Sequence, residues 1–279
     1  MLRHPEKLFK LSHQVDYLVE IKKIDFYIKR IKCKNLIFAK INHAFFEFLY
    51  FYDQDKFSKL FEASKFWLDI HDIDIITEVR DIISNIDSTN IILGVSNIPY
   101  ISNFSFDTNQ TNFTQDLIAE KIKMVLPRKY LAHSACIWKY FTITKQIHKL
   151  YECLNEFEVI VVGMNHLKEL EYTLGLSNLL FYKINIDSSR KQNRYKVLDE
   201  IYKFYDIKKK QVFIFQAGEM FSAWLIYKLL YDKNIKNCSL IDMGRSLDYY
   251  CPNRKLENID SEKPCLYDFY NQKWIQLHL

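Results

Sequence analysis

Six short runs of β-branched and aromatic residues alternate with longer segments whose apolar residues recur at helical spacing. This alternation constrains the fold more than any other feature of the chain. The runs are residues 35–40 (NLIFAK), 90–95 (NIILGV), 158–163 (EVIVVG), 179–186 (LLFYKINI), 211–216 (QVFIFQ) and 239–243 (SLIDM). Helical period predicts helices at residues 16–32, 44–70, 72–84, 114–126, 134–154, 167–174, 194–205 and 221–231, with a break in the second near Asp53-Gln54-Asp55. Strands joined by helical crossovers run parallel. The expected fold class is therefore α/β, a Rossmann-like, mainly parallel sheet with helices on both faces. A single domain over residues 1–279 is expected, with a helical N-terminal segment (1–32), a core (33–250) and a tail (251–279) that packs on the core through Tyr267, Phe269, Tyr270 and Trp274.

Average usage would give a chain of this length about 20 glycines and 14 prolines; it has 5 of each. Neither G-x-G-x-x-G nor G-x-x-x-x-G-K-[ST] occurs, which excludes phosphate binding through a glycine-rich loop. Gly94, Gly163, Gly218 and Gly244 nevertheless all fall at or near the carboxyl end of a predicted strand, the edge at which open α/β sheets bind ligands. The polar stretch 96–115 after the second strand reads as a rim loop or lid.

A net charge of +5 from 39 basic and 34 acidic residues is spread along the chain, with short basic runs only at 189–194 (SRKQNR) and 208–210 (KKK). Nucleic acid is not an expected partner, because that would call for a concentrated basic stripe. The excess suits an anionic small ligand or peripheral contact with an anionic membrane surface. The six cysteines form no C-x-x-C pair, as in a reduced, cytoplasmic protein, and no signal peptide or run of eighteen uncharged apolar residues is present.

Four strand ends carry residues suited to chemistry. In Lys40-Ile41-Asn42-His43-Ala44-Phe45-Phe46-Glu47, His43 and Glu47 share one face of a helix, where a carboxylate can orient an imidazole or join it on a metal or hydroxyl; an ordinary surface pair has the same pattern. In Gly163-Met164-Asn165-His166, helix-start amides attract phosphate with Asn165 or His166 as donors, unless Asn165 is simply a cap. In Gln216-Ala217-Gly218-Glu219-Met220-Phe221-Ser222, Gly218 admits a ligand to the backbone and Ser222 can reach a phosphate oxygen, while Glu219 repels a diphosphate unless it turns to a sugar hydroxyl or a cation. In Asp242-Met243-Gly244-Arg245-Ser246-Leu247-Asp248, either acid can accept from ribose or sugar hydroxyls and Arg245 can clamp phosphate; a solvated turn with a capping Asp reads the same way.

The order of these elements resembles the GT-D type of bacterial glycosyltransferase. Its pattern runs through an R-[FY]-G-D-G-E element, a strand near L-x-G-I-P-D, a strand ending V-E-G, L-G-P-T-A-x-V-L-A-Y-x-L and a closing I-D-I-G-H-x-D-x-E-Y. The counterparts are 40–45 (KINHAF), 93–99 (LGVSNIP), 161–163 (VVG), 216–230 (QAGEMFSAWLIYKLL) and 241–250 (IDMGRSLDYY), closest in the last two. The resemblance implies a Rossmann-like fold and transfer of a sugar from a nucleotide-diphosphate donor to a glycan or lipid-linked glycan acceptor. It places Gly163, Gly218 and Ser222 along the nucleotide and phosphates, Asp242, Gly244 and Asp248 at the closing turn, and Ser189 and Arg190 on a donor-facing loop. With the residues singled out above, Lys40, Asn42, Asn165, His166, Gln216, Glu219 and Arg245 complete the expected donor site, and His43, Glu47 and Asp248 are the expected catalytic set. The family's D-G-E acids help bind a divalent metal, manganese or magnesium, and the donor. Here His43-Ala44-Phe45 stands in their place. Either Glu47 takes over with His43, or the chain works without a metal, or it binds nucleotide sugar without transferring it.

Overall fold

A computed structural model describes residues 22–41, 73–85, 91–95, 131–134, 137–143, 146–251, 265–268 and 273–276. Seven strands, β1 (Ile37–Ile41), β2 (Ile91–Val95), β3 (Leu131–Ser134), β4 (Glu158–Gly163), β5 (Leu179–Lys183), β6 (Gln211–Gln216) and β7 (Cys238–Asp242), form one sheet in the order β3-β2-β1-β7-β6-β4-β5. Every pairing in it is parallel. The helices are α1 (Ile24–Lys32), α2 (Ile73–Asn85), α3 (Ile137–Ile143), α4 (Ile147–Leu154), α5 (Leu170–Thr173), α6 (Lys191–Tyr202) and α7 (Glu219–Tyr231). The expected α/β architecture is the observed one.

Alternate residues of each central strand feed opposite layers. Ile37, Ala39, Ile160, Val162, Phe213, Phe215 and Leu240 join one core with α2, α6 and α7. Phe38, Val159, Val161, Val212, Ile214 and Ile241 join the other with α1, α3 and α4. Burial on both faces explains why these strands read as unbroken apolar runs. In α1, Ile24, Tyr27 and Ile31 sit at i, i+3 and i+7, so one stripe is buried. By contrast α7 is apolar all round; residues 220–227 are all buried, against the sheet, α2 and α6. These three helices are tied together by Glu78. Its carboxylate receives the fully buried Arg194 guanidinium through Nη2, together with the Trp224 Nε1–H at 2.7 Å and the Tyr195 hydroxyl at 3.4 Å.

The chain steps outward from β1 to β2 and β3, crosses to β4 and β5, then returns through β6 to β7, which lies beside β1. The strand order therefore reverses at β1, and the crevice beyond the carboxyl ends there is the place an open sheet offers a ligand.

Several expectations are corrected. β3 is a seventh strand beyond the six expected, and it takes in Ser134, the first residue of the expected helix 134–154. The single helix 134–154 is instead α3 and α4. The fourth strand stops at Lys183, and Ile186–Ser189 is a 3-10 turn closed by a capping box between Asn185 and Ser188. The helix 167–174 is a 3-10 segment, Asn165–Glu169, running into the single turn α5. The tail holds an antiparallel hairpin, β8 (Cys265–Asp268) and β9 (Lys273–Gln276), with Tyr267 opposite Trp274. Helices 44–70 and 114–126, the stretch 96–115, and Phe269 and Tyr270 lie outside the described residues.

Candidate functional site

Four strand ends meet at the carboxyl edge. β1 delivers Lys40, β7 Asp242, β6 Gln216 and β4 Gly163, with Gly163 opposite Gln216 and Phe215 opposite Asp242 in register. After β7 the chain turns into a 3-10 segment, Gly244–Tyr250, that folds back over the end of β6. Tyr250 anchors this closing turn: its ring stands edge-on to Tyr151 at 5.2 Å, and burial raises its phenol.

The turn brings Asp248 over β6. Its Oδ1 accepts from Gln216 Nε2 and faces His166 Nε2 at 3.1 Å. The carboxylate is almost wholly buried, while the imidazole is 21% exposed. Residues 82 positions apart thus form an acid–imidazole pair, with the carboxylate fixing the ring's orientation. Gln216 Oε1 is buried without a hydrogen-bond partner among the described residues.

Asp242 is the second buried acid. Its Oδ1 accepts the Gly244 N–H at 2.8 Å, and its Oδ2 has no hydrogen-bond partner among the described residues. Burial pushes this carboxyl up to about 6, against the opposing pull of the Lys40 ammonium and the Gly244 and Lys40 main-chain amides.

Lys40 runs between two glycines. A Cβ built on Gly94 would stand 3.2 Å from Lys40 Cγ, and one on Gly244 would stand 3.5 Å from Cδ and Cε and overlap Nζ. Gly244 also has φ +52°, which glycine adopts without strain. Gly244 leaves the room in which the end of the lysine lies, while Gly94 gives way to the Phe38 ring at 2.8 Å and then to the lysine stem.

Other candidate residues are placed differently. A Cβ on Gly163 would overlap the Leu167 side chain and come within 3.1 Å of the Gln216 carbonyl, so this glycine makes room for packing. Ser222 is turned inward: its Oγ accepts the Ala217 N–H at 3.0 Å, which leaves it no reach toward a phosphate. Asn165 is exposed and caps nothing, since the residue preceding the turn is Met164 and it makes no side-chain cap. That turn is a 3-10 segment of five residues, so the aligned amides of an α-helix start are not formed there. Gly218 has φ +87° and nothing within 4 Å of an added Cβ, so the backbone is open to a ligand at the start of α7. Ser189 and Arg190 follow β5, the outer strand, with β4 and β6 between them and β7, and Arg190 Nε pairs with Asp187 at 2.9 Å. Glu219 and Arg245 are placed by their backbone, at the first residue of α7 and the second of the closing turn. Asn42, His43 and Glu47 lie outside the described residues.

The described residues at this edge do not suit a divalent cation. No group of three or more His, Cys, Asp or Glu gathers among them, and Asp242, an acid with an unpartnered oxygen, has an ammonium nearby. Among the described residues no helix is long and apolar enough to cross a membrane.

No family model matches the chain, and no curated protein matches it significantly. Solved structures do. A selenomethionine-substituted domain of unknown function 1792 aligns with a TM-score of 0.52 and 12% identity over 83% of this chain and 80% of its own. A structure described as the highly conserved domain of unknown function 1792 with a distinct glycosyltransferase fold gives 0.51 and 11% over the same shares. One described as a new glycosyltransferase of that domain type from Streptococcus sanguinis gives 0.52 and 11%, over 83% of each chain. The chain shares the fold of these glycosyltransferase-fold domains.

Proposed function

We propose that this protein transfers a sugar from a nucleotide-diphosphate donor to a glycan or lipid-linked glycan acceptor, at the cytoplasmic side of a glycan assembly process. The observation that carries the reading is the convergence of Gln216 and His166 on the buried Asp248, one turn beyond Asp242 and Lys40, at the reversal of strand order. The fold shared with glycosyltransferase-fold structures supports it.

In this reading the donor lies along the ends of β6 and β7. The unpartnered Asp242 Oδ2 and Gln216 Oε1 accept from sugar or ribose hydroxyls, because a buried acceptor without a donor is costly and a diol supplies two. Gly218 lets the ligand close on the backbone where α7 begins, and Asp248 holds His166 rigidly against it. His43 or Glu47 orients or deprotonates the acceptor hydroxyl. No step is routed through a metal.

The replacement of the family's D-G-E acids by His43-Ala44-Phe45 favours a second reading, a nucleotide-sugar-binding member that does not turn over. A screen of nucleotide sugars scoring released nucleotide, with wild type beside His43→Ala, Glu47→Ala and Asp248→Ala, separates the two. Donor binding without transfer or hydrolysis identifies the second reading. If no common nucleoside diphosphate raises the melting temperature, with or without manganese, both fall. If all three variants match a wild type that turns over, the site assignment is wrong.

A further inference from the structure

We propose that the Lys40 ammonium is the protein's own counter-ion for the ligand's diphosphate, so that binding at this edge needs no divalent metal; the inference rests on the reading of the edge as a diphosphate site. Three observations carry it.

The first is the groove. In a chain with only five glycines, two of them, on β2 and on the closing turn, are placed so that the Lys40 side chain can run between them to the crevice where the strand order reverses. A lysine that merely snorkelled to solvent from a strand end would not need the gap at Gly244; the gap at Gly94 is taken first by the Phe38 ring, 2.8 Å from an added Cβ, and then by the lysine stem.

The second is what the main-chain amides are doing. A glycine-rich loop neutralises phosphate with several N–H groups aimed outward. On this edge the corresponding groups are engaged inside the protein: Gly244 N–H on Asp242 Oδ1 at 2.8 Å, Ala217 N–H on Ser222 Oγ at 3.0 Å, and Leu167 N–H on the Met164 carbonyl at 2.9 Å. The open backbone at Gly218, where α7 begins, can still offer amides, but these three turns cannot, so a diphosphate on this edge calls for positive charge from a side chain as well.

The third is the pairing of charges. Lys40 makes no ion pair among the described residues, and Asp242, the nearby acid, keeps an unpartnered oxygen rather than closing on it. The cation is held close to the carboxylate and left available. A divalent ion beside Asp242 would have to share the space with that ammonium, at a cost in repulsion.

The test uses inorganic pyrophosphate as the probe, titrated calorimetrically into the full chain in EDTA and in excess magnesium. Wild type is expected to bind in both. Lys40→Met, which keeps the stem's packing, should weaken binding in EDTA by about tenfold or more, the loss expected for one charge-assisted contact. Asp242→Asn should bind pyrophosphate more tightly, since a neighbouring negative charge is removed; were Asp242 a metal ligand, the same change would weaken binding in magnesium. Binding that requires magnesium, a Lys40→Met variant with wild-type affinity, weakened binding by Asp242→Asn, or no binding at all overturns the proposal. The two ideas fail separately: pyrophosphate bound through Lys40 by a protein that ignores every nucleotide sugar leaves this inference standing without the donor reading, and a nucleotide sugar bound only with magnesium or manganese does the reverse.

Discussion

Replacing Asp242 with Asn should make the ligand-free protein more stable at pH 8 and leave it little changed at pH 4. The carboxyl is buried with one oxygen unpartnered among the described residues, and burial raises it from 3.8 to about 6. Between those values the folded protein binds a proton that the unfolded chain has released, so this group's contribution to stability is fully present below pH 3.8 and is lost as pH rises through about 6. The displacement is worth about 3 kcal/mol at pH 7 and above. Asn has nearly the same shape and its amide oxygen can keep the Gly244 N–H, so the variant escapes the cost of ionisation without opening a cavity. Other carboxylates titrate alike in both proteins and cancel in the difference. Urea unfolding of wild type and Asp242→Asn at pH 4, 5, 6, 7 and 8 reads that difference directly. The gap should grow by about 2.5 kcal/mol between pH 4 and pH 8, or about 5–10 °C in melting temperature for a domain of this size. A gap that stays constant with pH, or a wild type that gains on the variant as pH rises, would refute a dry, raised Asp242 and with it the picture of an acid kept unpaired for a ligand.

Glu78→Ala should cost about 3 kcal/mol in urea unfolding, because it strands the buried Arg194 guanidinium and the Trp224 indole N–H, whereas the double change Glu78→Leu with Arg194→Met should recover much of the loss. Gly218→Ala should destabilise by about 1–3 kcal/mol through backbone strain alone, since φ is +87° and the added methyl meets nothing within 4 Å; a neutral result by thermal melting would show that the turn relaxes freely. Mass-mapped alkylation of the native protein should modify Cys33, which is exposed, well before Cys238 and Cys251, whose thiols burial pushes up to about 12. Equal rates at the three would mean that the strand β7 and the closing turn open readily.

The strands legible in the sequence are those whose composition reflects two-sided burial. β4 and β6 begin and end where their apolar runs do, because five or more consecutive residues in each are enclosed between helix layers. β3 was illegible for the opposite reason: LAHS holds two apolar residues, lies at the sheet's outer edge, and is followed at once by an amphipathic stretch that absorbs it into a helix. The fourth strand was drawn too long because Ile184 and Ile186 extend its apolar run, while Asn185 caps a 3-10 turn within it. Glu78, Arg194 and Trp224 carried no local signal, since a polar residue on a helix reads as solvated until the partner 116 positions away is known. The same limit hid the site. Gln216, His166 and Asp248 each stood out singly by their place after a strand, but their meeting depends on the register of β4 with β6 and on a closing turn that folds over it.

The glycines show how far a positional signal carries before geometry divides it. Four on one sheet edge pointed to a ligand edge, on the premise that glycine there lets a ligand approach the main chain. Only Gly218 has the open space that premise requires. Gly163 yields its space to Leu167, and Gly94 to Phe38 and the Lys40 stem, so both serve packing within the protein. Gly244 yields to the Lys40 ammonium, which means that its absent side chain bears on the ligand through a cation rather than through bare backbone. Glycine scarcity and the lack of a phosphate loop are then two aspects of one arrangement. Where the amides of Gly244, Ala217 and Leu167 are consumed by Asp242, Ser222 and Met164, the open backbone is left to Gly218, and at Gly244 the missing side chain clears a path for a cation instead.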